Sequence, residues 1–200
     1  MNMESFTTKN HYREQAKMAC KQLTESEKNH AHQQIYQQLF ALPEFIKAKT
    51  ILAYVGYQHE FDTYELLTSC LKLEKQLLLP KVNRHDSTLQ LYHISNLAND
   101  LVPGYANVLE PKEEAAVFQK NEPIDVIITP AVAFDRKGQR LGRGMGFYDR
   151  FLMAHQKSIV IGLAYEEQVF DQIPAEKHDQ PIDILLTPTR LFRFDHLKNR

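Results

Sequence analysis

Four short apolar runs constrain the fold of this chain more than any other feature. They cover residues 50–55, 125–129, 158–164 and 182–186. Each is too short for a buried helix, and Val126-Ile127-Ile128-Thr129 is almost wholly β-branched. Such runs read as strands covered on both faces. Gly56 stops the first and Pro130 ends the second. Helical stretches alternate with them. Residues 6–23 hold no proline or glycine. Thr24 and Glu27 have the spacing of a capping box before Ile35, Tyr36, Leu39 and Phe40, with Leu42-Pro43 as the stop. Residues 61–73 turn Leu66, Leu67, Cys70 and Leu71 to one side, with Asp62 or Thr63 as the cap. Phe147, Tyr148, Phe151 and Leu152 mark a later helix. The alternation predicts an α/β fold, a layered sheet with helices on both faces. Residues 76–82 and 89–94 form strands around a turn at 83–87, so the sheet is mixed rather than purely parallel. Residues 131–134 are a candidate continuation of the 125–129 strand, and 191–194 a candidate partner for the last one. The stretch 96–120, punctuated by Pro103, Gly104 and Pro111, is the least regular.

Two hundred residues fit one domain, 1–200, that needs no disulfide to bury a core. Cys20 and Cys70 fit no metal or redox spacing and read as reduced thiols of a cytoplasmic protein. The polar N-terminus lacks a signal-peptide pattern, and no run is long enough to span a membrane. A net charge of −1 argues against broad nucleic-acid binding. No obligate protein partner is evident.

Glycine is concentrated where the chemistry would be. Gly138, Gly142, Gly144 and Gly146 are four of only seven in the chain. Residues 131–150 carry five basic side chains (Arg136, Lys137, Arg140, Arg143, Arg150) against Asp135 and Asp149, a local charge of +3. Bare main-chain N–H groups beside fixed cations suit a phosphate. The spacing matches neither the P-loop nor the dinucleotide fingerprint, and a glycine-rich turn flanked by solvated arginines explains it equally well. Lys9, Arg13, Lys17 and Lys21 form one basic stripe at helical spacing. Either the stripe is a solvated face, or Lys9 and Arg13 reach an anion. Loops after the strands, at 56–60, at the glycines and from Tyr165 onward, would meet in one crevice. No serine elbow or partnered cysteine offers a covalent nucleophile. Asp149 suits a magnesium ion held beside phosphate, or simply a helix first turn. Asp179 stays open between ligand and surface charge, and Asp183 reads as structural, a cap or surface charge.

Residues 130–135, Gly138 and 140–152 resemble the signature of the 5-formyltetrahydrofolate cyclo-ligase family (5,10-methenyltetrahydrofolate synthetase). The likeness extends to Lys9 and Arg13, to Glu60-Phe61-Asp62-Thr63, to Leu109-Glu110-Pro111, and to Gly162-Leu163-Ala164-Tyr165. It also takes in Gln168, Pro174, His178-Asp179 and Thr187. The resemblance implies a three-layer α/β/α, Rossmann-like sandwich. It implies ATP- and Mg2+-dependent closure of 5-formyltetrahydrofolate, with or without a polyglutamate tail, to 5,10-methenyltetrahydrofolate, ADP and phosphate. The formyl oxygen attacks the γ-phosphate, and the neighbouring folate nitrogen then closes the ring. Carried over by position, Lys9 and Arg13 bind ATP, as do Arg140, Leu141, Gly142, Arg143, Gly144, Met145, Gly146, Phe147 and Tyr148. Val55 and Glu60 line the folate site, joined by Arg143, Gly144, Met145, Gly146 and Phe147. Asp149 and Asp179 match the magnesium positions, and Arg143 is the candidate for transition-state charge. Ala131, Met145 and Phe147 depart from the pattern, where glycine, lysine and tyrosine are common. Two rival readings are a non-catalytic nucleotide- or folate-binding regulator and a sugar-phosphate isomerase on a similar fold.

Overall fold

A computed structural model describes residues 8–83, 85–86, 88–104, 108–119 and 122–194. The start of the first predicted helix and part of the turn at 83–87 lie outside them. Helix α1 (Lys9–Gln22) is capped by Thr8, α2 (Glu25–Ala41) opens with the full Thr24–Glu27 capping box, and α3 (Pro43–Lys47) follows. Pro43 therefore ends one helix and starts another, because proline fits the first turn, where no N–H is required. Then come β1 (Thr50–Leu52), α4 (Tyr64–Lys72), β2 (Gln76–Asn83), β3 (Thr88–Ile94), α5 (Leu97–Asp100), β4 (Leu101–Pro103) and β5 (Leu109–Pro111). The second half holds β6 (Val126–Thr129), β7 (Ala133–Asp135), β8 (Arg140–Leu141), α6 (Phe147–Ala154) and β9 (Ile159–Leu163). A 3₁₀ turn (Glu166–Gln168), β10 (Val169–Phe170), β11 (Ile184–Leu186) and β12 (Leu191–Arg193) complete the described chain.

Seven strands form the main sheet in the order β12-β11-β9-β6-β1-β2-β3. The inner pairs are parallel, and β12 and β3 close the two edges antiparallel. Alternation within each strand splits the core in two. Ile51, Leu77, Val126, Ile128 and Ile161 pack on one face against α2, α3 and α4 through Ile35, Leu39, Phe45 and Leu67. Leu52, Leu78, Ile127, Val160 and Leu185 pack on the other against Leu152 of α6, Phe118 and Phe134. The predicted three layers are present.

Residues 131–134 do not prolong β6. Ala133–Asp135 leaves for a second sheet, β10-β7-β8, which α1 covers through Ala16, packed with Val132, Ala133, Leu141 and Ile173. This small sheet brings the N-terminal helix beside the glycine loop. Chain order reverses between β1 and β6, from which successive connections run to opposite sides. Parallel sheets gather ligands beyond the carboxyl ends of strands at such a reversal.

Candidate functional site

A cavity of about 1040 Å³ opens at that reversal. Its walls are the loops after β1 and β6, the start of α1, the loop from β8 into α6, the β2–β3 hairpin and the segment around Asp179. Every candidate ligand residue from the sequence lines it: Lys9, Arg13, Val55, Glu60, residues 140–148, Asp149 and Asp179. The Tyr165 segment lies outside the lining, correcting that expectation. Asp183 is also outside. It is fully buried rather than a surface charge, and its Oδ2 accepts the Val160 N–H at 2.8 Å.

The loop carrying Glu60 is fastened from several sides. The Tyr36 hydroxyl donates to Asp62 O at 2.7 Å and that of Tyr54 to Phe61 O at 3.3 Å. Thr63 stands at the N-cap of α4, but its hydroxyl turns inward, donating to Tyr54 O and accepting from Gly56 N–H at 3.2 Å. Asp62 takes the capping role through Tyr64 N–H at 3.0 Å. Gly56 permits this closeness, since a Cβ there would lie 2.6 Å from Phe61 O. Glu60 thus sits under cover, its side chain 9% exposed. Burial pushes its carboxyl up to about 7, although Arg143 and the Tyr57 N–H pull the other way.

The glycine loop leaves β8 with Gly144 and Gly146 at φ +104° and +65°, which only glycine adopts cheaply. Gly146 leads into α6 with no side-chain cap, so the first N–H groups of that helix are left for an anion. The Arg13 Nε donates to Gly142 O at 2.8 Å and fixes α1 to the loop.

Three cations of the cavity are held in ion pairs. Lys9 Nζ lies 2.7 Å from Asp179 and 3.2 Å from Glu176. Arg140 lies 2.6 Å from Asp149 Oδ1, which also accepts the Gln180 N–H at 3.1 Å. Arg143 lies 2.9 Å from Glu60 and rests on the Tyr57 ring at 4.4 Å. Each pair joins a cation suited to phosphate with a carboxylate suited to another ligand. Two buried polar atoms here, Arg140 Nε and the Tyr148 hydroxyl, have no hydrogen-bond partner among the described residues. Native interiors rarely leave such atoms unserved, and a polar ligand would serve them.

Asp149 and Asp179 are the candidate magnesium ligands. The bonds fall on Oδ1 of Asp149 and on Oδ2 of Asp179, the latter from Lys9 and the Glu176 N–H at 2.7 Å. One oxygen of each thus stands away from those bonds. Among the described residues no group of three or more His, Cys, Asp or Glu could hold a metal. Magnesium with nucleotide takes one or two carboxylates, phosphate oxygens and waters, so this sparse donor set fits.

Sequence reading placed the loop of Tyr57 in the crevice and named His178 in the likeness but gave neither a role, and it missed Glu176; all three line the cavity. An aromatic between Gly56 and Glu60 was the one local hint at Tyr57. Glu176 and His178 carry no periodicity that would mark them.

Residues 5–188 match the model of the 5-formyltetrahydrofolate cyclo-ligase family. A curated relative of that name from Escherichia coli (strain K12) is 30% identical over 174 residues, covering 86% of this chain and 96% of its own. A mitochondrial 5-formyltetrahydrofolate cyclo-ligase of Arabidopsis thaliana is 32% identical over 209 residues, covering 92% of this chain and 75% of its own. Among solved structures, 5,10-methenyltetrahydrofolate synthetase of Aquifex aeolicus is similar at TM-score 0.82 and 34% identity, over 94% of this chain and 93% of that one. The synthetase of Mycoplasma pneumoniae follows at TM-score 0.72 and 28% identity, over 90% and 98%.

Proposed function

The chain belongs to the 5-formyltetrahydrofolate cyclo-ligase family, and from that premise we propose that this cavity converts 5-formyltetrahydrofolate and ATP to 5,10-methenyltetrahydrofolate, ADP and phosphate. One observation carries the reading. Four cations, Lys9, Arg13, Arg140 and Arg143, share a single cavity with the covered carboxyl of Glu60. The volume is at the upper end of small-molecule sites, enough for two ligands side by side.

The chemistry needs no protein nucleophile. The formyl oxygen bonds to the γ-phosphorus and ADP leaves with the electrons of the broken P–O bond. The neighbouring folate nitrogen attacks the activated formyl carbon and loses its proton. Phosphate departs with the electrons of the C–O bond, and the ring closes. The chain supplies placement and charge. Lys9 and Arg13 hold nucleotide phosphates, together with Arg140 and the main chain through Tyr148. Glu60 accepts pterin N–H donors beside Val55. Arg143 lies on the boundary, paired to Glu60 until substrate takes that carboxylate. Its planar cation is then available to the equatorial phosphoryl oxygens. Asp149 and Asp179 hold Mg2+, which when bound neutralises phosphate charge.

The site belongs to one domain spanning 1–200. No helix among the described residues is long and apolar enough to cross a membrane. The two free, buried thiols fit a cytoplasmic location. A regulator or an isomerase would show no folate-dependent ATP use. Turnover of ATP with and without 5-formyltetrahydrofolate tests the reading. Product formation strictly dependent on both ligands supports it, and ATP hydrolysis indifferent to the folate, or absent, defeats it.

A further inference from the structure

Gln168 takes no part in the chemistry above, yet its amide spans the carboxyl ends of three adjacent strands. It ends the 3₁₀ turn after β9 and is 1% exposed. Its Oε1 accepts the Tyr165 N–H at 3.0 Å. Its Nε2 donates to His59 O at 3.2 Å, in the loop after β1, and to Val132 O at 3.0 Å, in the loop after β6. His59 immediately precedes Glu60. Val132 in turn donates its N–H to Leu141 O at 2.9 Å, at the root of the glycine loop. From there Arg143 reaches back to Glu60 at 2.9 Å. The amide thus closes a circuit running from Glu60 through both walls of the cavity and back through Arg143.

We infer that Gln168 is a positioning residue that sets the separation between the wall carrying Glu60 and the wall carrying Arg143. It thereby places the folate carboxylate acceptor against the phosphate cation. The inference rests on the cyclo-ligase reading of the cavity. The chemistry of the site dictates glutamine. Two carbonyl oxygens face the same point and require two N–H donors from one side chain, which a primary amide has and a carboxylate lacks. Buried carbonyls left without donors pull toward water, and here that would open the gap between the walls.

The test uses Gln168→Met, which keeps the bulk, and Gln168→Glu, which keeps the shape. In both, KM for 5-formyltetrahydrofolate rises on the order of tenfold, while ADP affinity by calorimetry moves less than twofold. In Gln168→Glu the ratio of variant to wild-type KM shrinks as pH falls, because the neutral acid regains one donor. A purely structural role does not produce that reversal. Nuclear magnetic resonance of the wild type gives a reading independent of variant folding: the Gln168 side-chain amide resonances shift on adding 5-formyltetrahydrofolate. Unchanged KM in both folded variants, or amide resonances indifferent to the folate, overturns the inference. Wild-type turnover is measured alongside, so that absence of folate-dependent ATP use counts against the function and not against Gln168.

Discussion

Arg140, in β8, and Arg143, in the loop that leaves it, stand three residues apart, yet they occupy opposite physical worlds. The Arg140 side chain is 2% exposed and bonded at 2.6 Å to Asp149, whose own position is tied to Gln180 N–H. The Arg143 side chain is 47% exposed, laid across the Tyr57 ring and the rim of Glu60. The inner arginine is part of the frame. One edge of its guanidinium is paired before any ligand arrives, its Nε is left for one, and Asp149 depends on it. The outer arginine has a resting partner that the substrate itself would claim. The same residue type thus serves rigidity in one place and readiness in the other, and burial makes the difference.

The comparison breaks first at Arg140. Arg140→Ala leaves Asp149 without its cation and is expected to remove roughly 3–5 kcal/mol of stability in urea unfolding. A loss below about 1 kcal/mol would move Arg140 out of the frame. Arg143→Ala should leave stability within about 0.5 kcal/mol. Its kcat should fall on the order of 100- to 1000-fold, with KM for ATP shifting less and Arg143→Lys falling between. Retained kcat with raised KM would make Arg143 a ground-state binding group.

Lys9 and Arg13 come next. Each is expected to contribute about 1.5–3 kcal/mol to nucleotide binding, read by ADP calorimetry on Lys9→Ala and Arg13→Ala. Unchanged affinity in both would return α1 to a covering role. A smaller effect concerns Glu60, whose carboxyl is held near 7 by burial. The folded chain binds this proton more tightly than the unfolded chain does. The resulting stabilisation is complete below the ordinary value and is lost as pH rises through about 7. Wild type should therefore lose stability relative to Glu60→Gln between about pH 5 and 8, while its affinity for 5-formyltetrahydrofolate strengthens. Parallel pH profiles for the two proteins would remove Glu60 from both roles. Smallest of all is Lys17→Ala. Lys17 continues the stripe of Lys9 and Arg13 but pairs, among the described residues, only with Glu14, itself well exposed. Turnover should not change, and stability should stay within about 0.5 kcal/mol. A measurable loss of turnover would extend the site along α1.

The parts of this molecule legible from sequence are those whose cause is local. The β6 and β9 strands announce themselves because burial on both faces demands unbroken apolar residues. The Thr24–Glu27 box carries its own spacing. The glycine loop concentrates its cations in a few positions. Short strands such as β8 and β10 escaped notice because two residues show no period, and β7 was read as a continuation of β6. Pro43 could be read as a stop but not as a start. The open choice between Asp62 and Thr63 depended on where the Thr63 hydroxyl turned, which Tyr54 decides from nine residues away. In the site, Glu176 and Gln168 owe their places to partners far along the chain, and no window of sequence contains them.

The Lys9–Asp179 contact joins residues 170 positions apart. During synthesis on the ribosome Lys9 emerges first and waits until Asp179 is made, 170 positions later. A nascent chain that holds β1, α4 and β2 has no Asp179 to pair with Lys9. Large domains gather structure as they emerge, and partly made cavities expose sticky surface. Here the end of the pocket proposed to handle ATP cannot close until Asp179 has been made, 170 positions after Lys9.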